Sequence, residues 1–315
     1  MSSYFITGAT GYIGRMFIKK LQDSKENVQI FALTRDAEKA SRVLPCDARI
    51  IVGDITDVAT FKGIAGEFDY LVHAAAVTQS REMIAHPVET ADSIVVGTRN
   101  VLDFARCAKV KSMVYLSSME VYGNIDCSDG RRVDESELGD IDIYNVRSCY
   151  PLGKRMAEHY CFAYAQEYGV PVKIARLAQT FGSGIAHDDN RVFAQFARAA
   201  AAGKDIVLHT EGRSMGNYCA IDDVLDAIFL LLEKGENGEA YNVVNEANTM
   251  TIREMAELVA EEVSNAKSRV VCEIPKTNVY GYAPDTGLML SANKLMKLGW
   301  CPAKNLKEMY QNLMG

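Results

Sequence analysis

The sequence predicts an α/β protein: a doubly wound parallel sheet followed by a smaller mixed C-terminal region. Three observations carry that reading. Short apolar runs of strand length alternate with helical patterns through the first half. A glycine-punctuated turn, Thr7-Gly8-Ala9-Thr10-Gly11-Tyr12-Ile13-Gly14, joins the first run to the first helical pattern. From Gly182 onward, helical segments are joined by short strands and Gly-rich turns. Strands regularly separated by helices require crossover connections, which place them parallel in a sheet covered on both faces.

Tyr4–Thr7 is the first apolar run, and an amphipathic stretch from Tyr12 to about Gln22 follows the glycines. Val28–Leu33, Ala48–Val52, Tyr70–Ala75 and Ser112–Ser117 read as further buried strands, with helical patterns over Val58–Ile64 and Thr90–Ala108. The polar loop Asn124–Asp142 leads to a long helix, Tyr150–Tyr168, stopped by Gly169 with Pro171 beyond. Val172–Leu177 is the next strand. Helices over Asn190–Ala202, Asp222–Leu232 and Ile252–Val263 make up most of the C-terminal region. No repeat or clean linker divides the chain, so the boundary near residue 180 is soft and the chain is expected to cross it more than once.

With 315 residues, 48% hydrophobic and 24% charged, the chain has ample core for a soluble protein. A net charge of −7 gives no basic footprint for nucleic acid. No apolar run approaches the roughly 18 residues that span a bilayer. The first strand starts almost at once, leaving no room for a signal peptide. Eight cysteines are scattered without a Cys-x-x-Cys. That pattern predicts reduced thiols in the cytoplasm, with neither a disulfide frame nor a zinc site. The five histidines are equally scattered and add nothing for a metal.

Gly8, Gly11 and Gly14 fall directly after a strand and directly before a helix. Glycines there let the backbone approach a pyrophosphate, and the helix N-terminus offers N–H donors and a positive dipole end. A Gly-rich βα turn with no ligand is the plain alternative. The second strand ends in Leu33-Thr34-Arg35-Asp36. An uncharged Thr34 followed by Arg35 suits a 2′-phosphate and favours NADP; Asp36, an acid placed slightly late, leaves NAD as the rival. Asp54, followed by Ile55, ends the third strand, where a carboxylate can accept from an adenine amine. Ala74, Ala75 and Ala76 after the fourth strand let backbone lie close to a cofactor; without the glycine fingerprint upstream, close packing would explain them equally.

Ser117-Ser118-Met119-Glu120-Val121-Tyr122-Gly123 ends the fifth strand, where a hydroxyl and a carboxylate face the ligand crevice of an α/β sheet. Among 15 tyrosines, Tyr150 alone has a lysine four residues on, Lys154. That spacing sets both on one helical face. A nearby ammonium and a cofactor's positive ring would bring the phenol toward neutrality, as an acid/base role requires. One surface tyrosine and one surface lysine are the bland alternative.

Taken in order, these residues resemble the extended short-chain dehydrogenase/reductases, specifically the NAD(P)-dependent epimerase/dehydratase group acting on nucleotide sugars. The resemblance rests on Thr7–Gly14, Asp54, His73–Ala76, Ser117–Gly123, Ser148-x-Tyr150-x-x-x-Lys154, Arg176–Gly184, Asp222-Asp223-Val224 and Leu298-Gly299-Trp300-x-Pro302. It implies a Rossmann-type NAD(P) domain over residues 1–180, carrying the catalytic helix, and a substrate region over 181–315. Ser118 would hydrogen-bond the sugar's 4-oxygen, Tyr150 exchange its proton, and Lys154 bind the nicotinamide ribose. Glu120 matches the glutamate that serves as the C5 base in related dehydratases, but Met119 replaces the acidic neighbour found there. Gly216 stands where many relatives carry an arginine for the nucleotide diphosphate, with Arg213 nearby, and Gln179 replaces a usual asparagine. Gln179, Arg191, Arg213 and Tyr218 are the expected substrate contacts. The resemblance further implies a homodimer through the Thr90–Ala108 and Tyr150–Tyr168 helices. The expected reaction is oxidation at sugar C4 leading to epimerisation. Its rivals are a 4-keto-sugar reductase using NADPH and a non-catalytic dinucleotide sensor.

Overall fold

The computed structural model of the chain describes residues 1–24, 27–64, 66–127, 129–264, 267–275 and 285–314. In chain order the first strands are β1 (Ser2–Thr7), β2 (Val28–Thr34), β3 (Arg49–Val52), β4 (Tyr70–His73), β5 (Ser112–Ser118) and β6 (Val172–Leu177). Shorter strands follow: β7 (Gln179–Phe181), β8 (Ile206–Leu208), β9 (Met215–Gly216), β10 (Tyr218–Ala220), β11 (Ala240–Val243), β12 (Met250–Thr251) and β13 (Val270–Cys272). The helices are α1 (Tyr12–Asp23), α2 (Ala37–Val43), α3 (Ser80–Ala85), α4 (Pro87–Cys107) and α5 (Cys149–Tyr168). After them come α6 (Val192–Ala201), α7 (Ile221–Lys234), α8 (Ile252–Leu258), α9 (Asn293–Lys297) and α10 (Leu306–Met314).

Seven strands form one sheet in the order β11-β6-β5-β4-β1-β2-β3, with every pair parallel. Strand alternation explains why both faces are covered. In β1, Tyr4 and Ile6 point into a core shared with Phe17, Ile18 and Leu21 of α1 and Val224 and Ile228 of α7. Phe5 points the other way, into a core with Ile94 and Val101 of α4 and Ala157 and Cys161 of α5. A third core around Phe181, Phe193, Tyr218 and Tyr310 belongs to the C-terminal region. Strand order reverses between β1 and β4, which opens a crevice at the C-terminal ends of those strands.

The expected strands are present, and four details differ. Val58–Ile64 forms a single 3₁₀ turn, Val58–Phe61, begun by Asp57, whose carboxylate accepts from Ala59 N at 2.8 Å. Pairing in β4 stops at His73, because Ala74 and Ala75 turn to lie against Gly8. The seventh strand, β11, arises from the C-terminal half yet pairs with β6, so the sheet is completed by chain from beyond residue 180. Its four residues sit among polar neighbours and carry too little pattern to stand out. The expected Ile252–Val263 helix is α8 followed by a π turn over Val259–Val263. Among the described residues no helix is long and apolar enough to cross a membrane.

Lys173 on β6 is buried, donating from Nζ to Ser112 Oγ at 2.8 Å and Pro171 O at 3.2 Å. Burial pushes its pKa down from 10.5 to about 8. Below pH 8 both folded and unfolded chains carry the charge, and folding bears the full desolvation cost. Between 8 and 10.5 the unfolded chain binds the proton more tightly, so stability rises with pH. Lys173→Met is therefore expected to stabilise the fold by about 1–3 kcal/mol at pH 7, net of the two lost hydrogen bonds. The gain should fade as pH passes 10.5, and urea melts at pH 7 and pH 10.5 would read it.

Candidate active site

The glycine turn forms a tight cradle against the end of β4. Gly8 has φ +67°, and a Cβ there would meet Ala74 C and Ala75 N at 2.6 Å. A Cβ on Gly14 would collide with Gly8 O, so α1 packs directly on the turn. Gly11 caps α1 and donates from its N–H to Gly8 O at 2.9 Å. Tyr12 and Ile13 open the helix, so their backbone N–H groups lie at its positive end. Thr7 Oγ1 lies 2.7 Å from His73 Nδ1 and accepts from Ala75 N at 3.3 Å, while His73 Nε2 lies 3.1 Å from Thr98 Oγ1. Burial, reinforced by Lys154, pushes His73 down to about 3, so it is a neutral brace between β1, β4 and α4. A crevice where methyl groups on Gly8 and Gly14 would strike backbone, at a helix N-terminus, fits a dinucleotide pyrophosphate.

At the adenosine end, Asp36 caps α2, accepting from Lys39 N at 2.8 Å. Arg35 is exposed and lies 3.8 Å from Asp54. The Asp54 carboxylate accepts from the N–H and hydroxyl of Thr56 at 2.9 and 2.8 Å. The side chain of Ile55, the residue expected beside the cofactor, packs in the core, its Cδ1 fitted into the space left by Gly97 of α4. Tyr12's hydroxyl reaches across to Ser183 O at 3.1 Å, and Arg15 donates to Gly184 O at 2.7 Å, so the loop after β7 is tied to α1.

β5 delivers Ser118 and α5 delivers Tyr150 and Lys154 to the same crevice. Tyr150 is buried, and its phenol lies near enough to the Ser118 hydroxyl for that group to favour the phenolate. Lys154 is fully buried: its Nζ donates to Leu116 O at 2.7 Å and lies over the rings of Tyr115 and Tyr150 at 4.7 and 5.8 Å. Burial pushes the ammonium down to about 8, and Glu158, one helical turn on, works against that. For Tyr150, burial is the largest influence and raises the phenol's pKa; Glu120 raises it further, while Ser118, Arg147 and Arg191 lower it. The lowering expected from Lys154 does not prevail, because desolvation of the phenolate outweighs the surrounding cations.

Glu120 does not stand free. Arg147 grips it with both ends of its fork, Nη1 to Oε2 at 2.6 Å and Nη2 to Oε1 at 2.9 Å. Arg147 precedes the catalytic helix by two residues, and its sequence signal was only its place three before Tyr150. A second unforeseen network lies beneath the site. Glu158 accepts from Ser117 Oγ at 2.5 Å and from Arg176 at 2.8–3.1 Å, and Arg176 also donates to Tyr122 Oη at 3.0 Å.

The four expected substrate contacts part company. Arg191 pairs bidentately with Asp189, at 2.6 and 3.1 Å, lies over the Phe193 ring, and its charge favours the ionised forms of Tyr12 and Tyr150. Gln179 is half-buried in β7, its N–H bonded to Asn217 O at 2.9 Å. Arg213 is exposed and paired with Glu211. Tyr218 is fully buried beside Phe181, and its ring fills the space a side chain at Gly216 would need. Gly216 is thus a packing requirement of Tyr218, which leaves this tyrosine in the third core instead of at a ligand. Among the described residues no three His, Cys, Asp or Glu side chains cluster as metal ligands.

The model of the NAD dependent epimerase/dehydratase family matches residues 4–245. The chain is similar to UDP-glucuronic acid decarboxylase 3 of Arabidopsis thaliana, 29% identical over 308 residues, covering 96% of this chain and 85% of that one. In structure it is similar to UDP-glucose 4-epimerase of Thermotoga maritima (TM-score 0.84, 22% identity, 99% of this chain and 97% of that chain). It is also similar to dTDP-glucose 4,6-dehydratase of Streptomyces venezuelae (TM-score 0.79, 23% identity, 98% and 95%). At these identities the structural likenesses establish the fold. The family match spans the glycine cradle, Ser118, Tyr150 and Lys154, and the chain belongs to the NAD dependent epimerase/dehydratase family.

Proposed function

We propose that this enzyme oxidises C4 of a nucleotide-linked sugar and returns the hydride to the 4-keto intermediate with altered configuration. The convergence of Ser118, Tyr150 and Lys154 at the mouth of the glycine cradle carries this reading. A bound nicotinamide would accept and return the hydride. Ser118 holds the 4-oxygen through its hydroxyl, Tyr150 takes and returns that oxygen's proton, and Lys154 keeps positive charge beneath the phenol ring. Arg191 is the cation placed for the nucleotide phosphates. A second reading, decarboxylation of a nucleotide-linked uronic acid, is favoured by the similarity to UDP-glucuronic acid decarboxylases. There the 4-ketone, β to the carboxyl group, lets CO₂ leave; C5 then takes a proton and C4 the hydride.

Incubation with UDP-glucose and with UDP-glucuronic acid, read by nuclear magnetic resonance of products and by nicotinamide absorbance, tests both. Epimerised UDP-glucose with no net absorbance change supports the first reading. CO₂ release from UDP-glucuronic acid supports the second. Stoichiometric consumption of NADPH defeats both and identifies a reductase.

The cofactor we favour is NADP. Asp36 is engaged as a helix cap, while Thr34 is uncharged and Arg35 is exposed beside the adenosine end. Arg35→Ala is expected to weaken NADPH binding about 10–100-fold, the loss of one charge-assisted contact, with little effect on NADH. Fluorescence titration of both nucleotides measures it, and equal losses would reverse the preference.

A homodimer through α4 and α5 is part of the proposal. The two helices pack together and leave Val96, Met156, Phe162 and Tyr168 exposed on their outer surfaces. Eight free cysteines fit a reducing cytoplasm.

A further inference from the structure

Resting on the C4 chemistry above, we propose that Arg147 is a positioning residue. Through its paired Glu120 it sets the spacing of Ser118 and Tyr150 and balances the carboxylate's charge beside the phenol.

The geometry is a bridge between the two halves of the catalytic set. Ser118 ends β5 and caps the turn Met119–Tyr122, its Oγ accepting from Glu120 N at 3.2 Å. Asn145 caps the turn Val146–Ser148, its side chain accepting from Arg147 N at 3.0 Å, and Ser148 Oγ donates to Asp142 O at 2.6 Å. Each turn is therefore shaped by its own local bonds, which leave the distance between the two turns to contacts across the crevice. The fork from Arg147 to Glu120 then ties a residue two after Ser118 to a residue three before Tyr150. Two parallel N–H···O bonds fix distance and orientation together, which a single contact would not. The pair is about one-third exposed, with side-chain exposures of 36% and 33%, so it lines the crevice.

This arrangement changes the role of Glu120. With both oxygens held by a guanidinium, it is poorly disposed to remove a proton from carbon, and Met119 offers no partner acid. An unbalanced carboxylate at this place would oppose the negative charge Tyr150 develops as it gives up its proton. Arg147 offsets that charge. The charged and titratable groups facing Tyr150 are Glu120 and Arg147 from the two turns, Arg191 from the loop before α6, Lys154 from its own helix and Tyr115 from β5, with neutral His73 behind Tyr115.

The test is an ultraviolet titration of tyrosinate in the enzyme loaded with NADP⁺, whose positive ring draws the buried phenol down toward the accessible range, taken as the difference from Tyr150→Phe, which needs no sugar. Arg147→Met should move the Tyr150 titration up by about one pH unit, and Arg147→Lys by less. Adding Glu120→Gln to Arg147→Met should restore the wild-type titration, because the offending charge is gone. With UDP-glucose as probe, kcat should fall about 10-fold or more in Arg147→Met with KM little changed, and recover in the double variant. No C5 deuterium should enter UDP-glucose from D₂O at the turnover rate.

An unmoved titration in Arg147→Met, a double variant as shifted as the single, or C5 exchange at turnover overturns the assignment. Inertness toward every sugar nucleotide, with the titration shifts intact, would sink the proposed reaction and leave this inference standing.

Discussion

Replacing Tyr150 by Phe is expected to reduce turnover of a competent nucleotide sugar by about 10²–10⁴-fold, the range that one positioned acid/base group supplies. The substitution keeps the aromatic ring in the core it shares with Ile94, Met113 and Ala157, so the fold should persist. It removes only the hydroxyl, the group that meets Ser118 and would exchange the 4-oxygen's proton. Cofactor affinity should change little, because Lys154 remains anchored on Leu116 O and the glycine cradle is untouched. Single-turnover absorbance of the nicotinamide with UDP-glucose gives the rate, and circular dichroism confirms the fold. A variant that turns over within 10-fold of wild type would end the mechanism proposed for this site.

The second large effect is on stability. Arg176→Met should destabilise the protein by about 3–5 kcal/mol, because it strands Glu158 as a buried charge. Arg176 is buried on β6 and makes three contacts of 2.8–3.1 Å with Glu158, plus bonds to Tyr122 Oη and, at 2.9 Å, to Glu135 O. Tyr122 Oη in turn donates to Asn242 Oδ1 at 2.7 Å, so one network ties β5, β6, β11 and α5. Removing both partners is a different case. Glu158→Leu combined with Arg176→Met should recover most of the loss, since neither charge then remains to be solvated. Urea denaturation with an unchanged m-value measures both. If the single and double variants are equally unstable, Arg176 acts by packing and not by neutralising Glu158.

The local parts of this site were legible because they depend on spacing along one element. Gly8, Gly11 and Gly14 lie within one turn and one helix start, and the cradle they form is where the motif places it. Tyr150 and Lys154 share a face of α5 because four residues make about one helical turn. The seventh strand was not legible: the four residues of β11 acquire meaning only beside β6. Nor was the fate of Tyr218, whose ring turns into the space above Gly216. Ile55 was read by proximity to Asp54, but successive residues leaving a strand end point in different directions, and Ile55 found Gly97 instead.

Sequence by itself determined the parallel α/β order, the glycine turn between β1 and α1 and the sharing of one face of α5 by Tyr150 and Lys154. Each follows from periodicity or from short-range spacing, which the chain enforces locally. Tertiary structure alone decided which charges meet. Arg147 comes to Glu120 across 27 positions of chain, Arg176 to Glu158 from the neighbouring strand, and Arg35 to Asp54 from the next strand end. Ion pairs form wherever the fold brings opposite charges within reach, and burial sets how strongly each is felt. That is why Tyr150 could be singled out from the sequence, while Arg147, which only the fold brings to Glu120, could not.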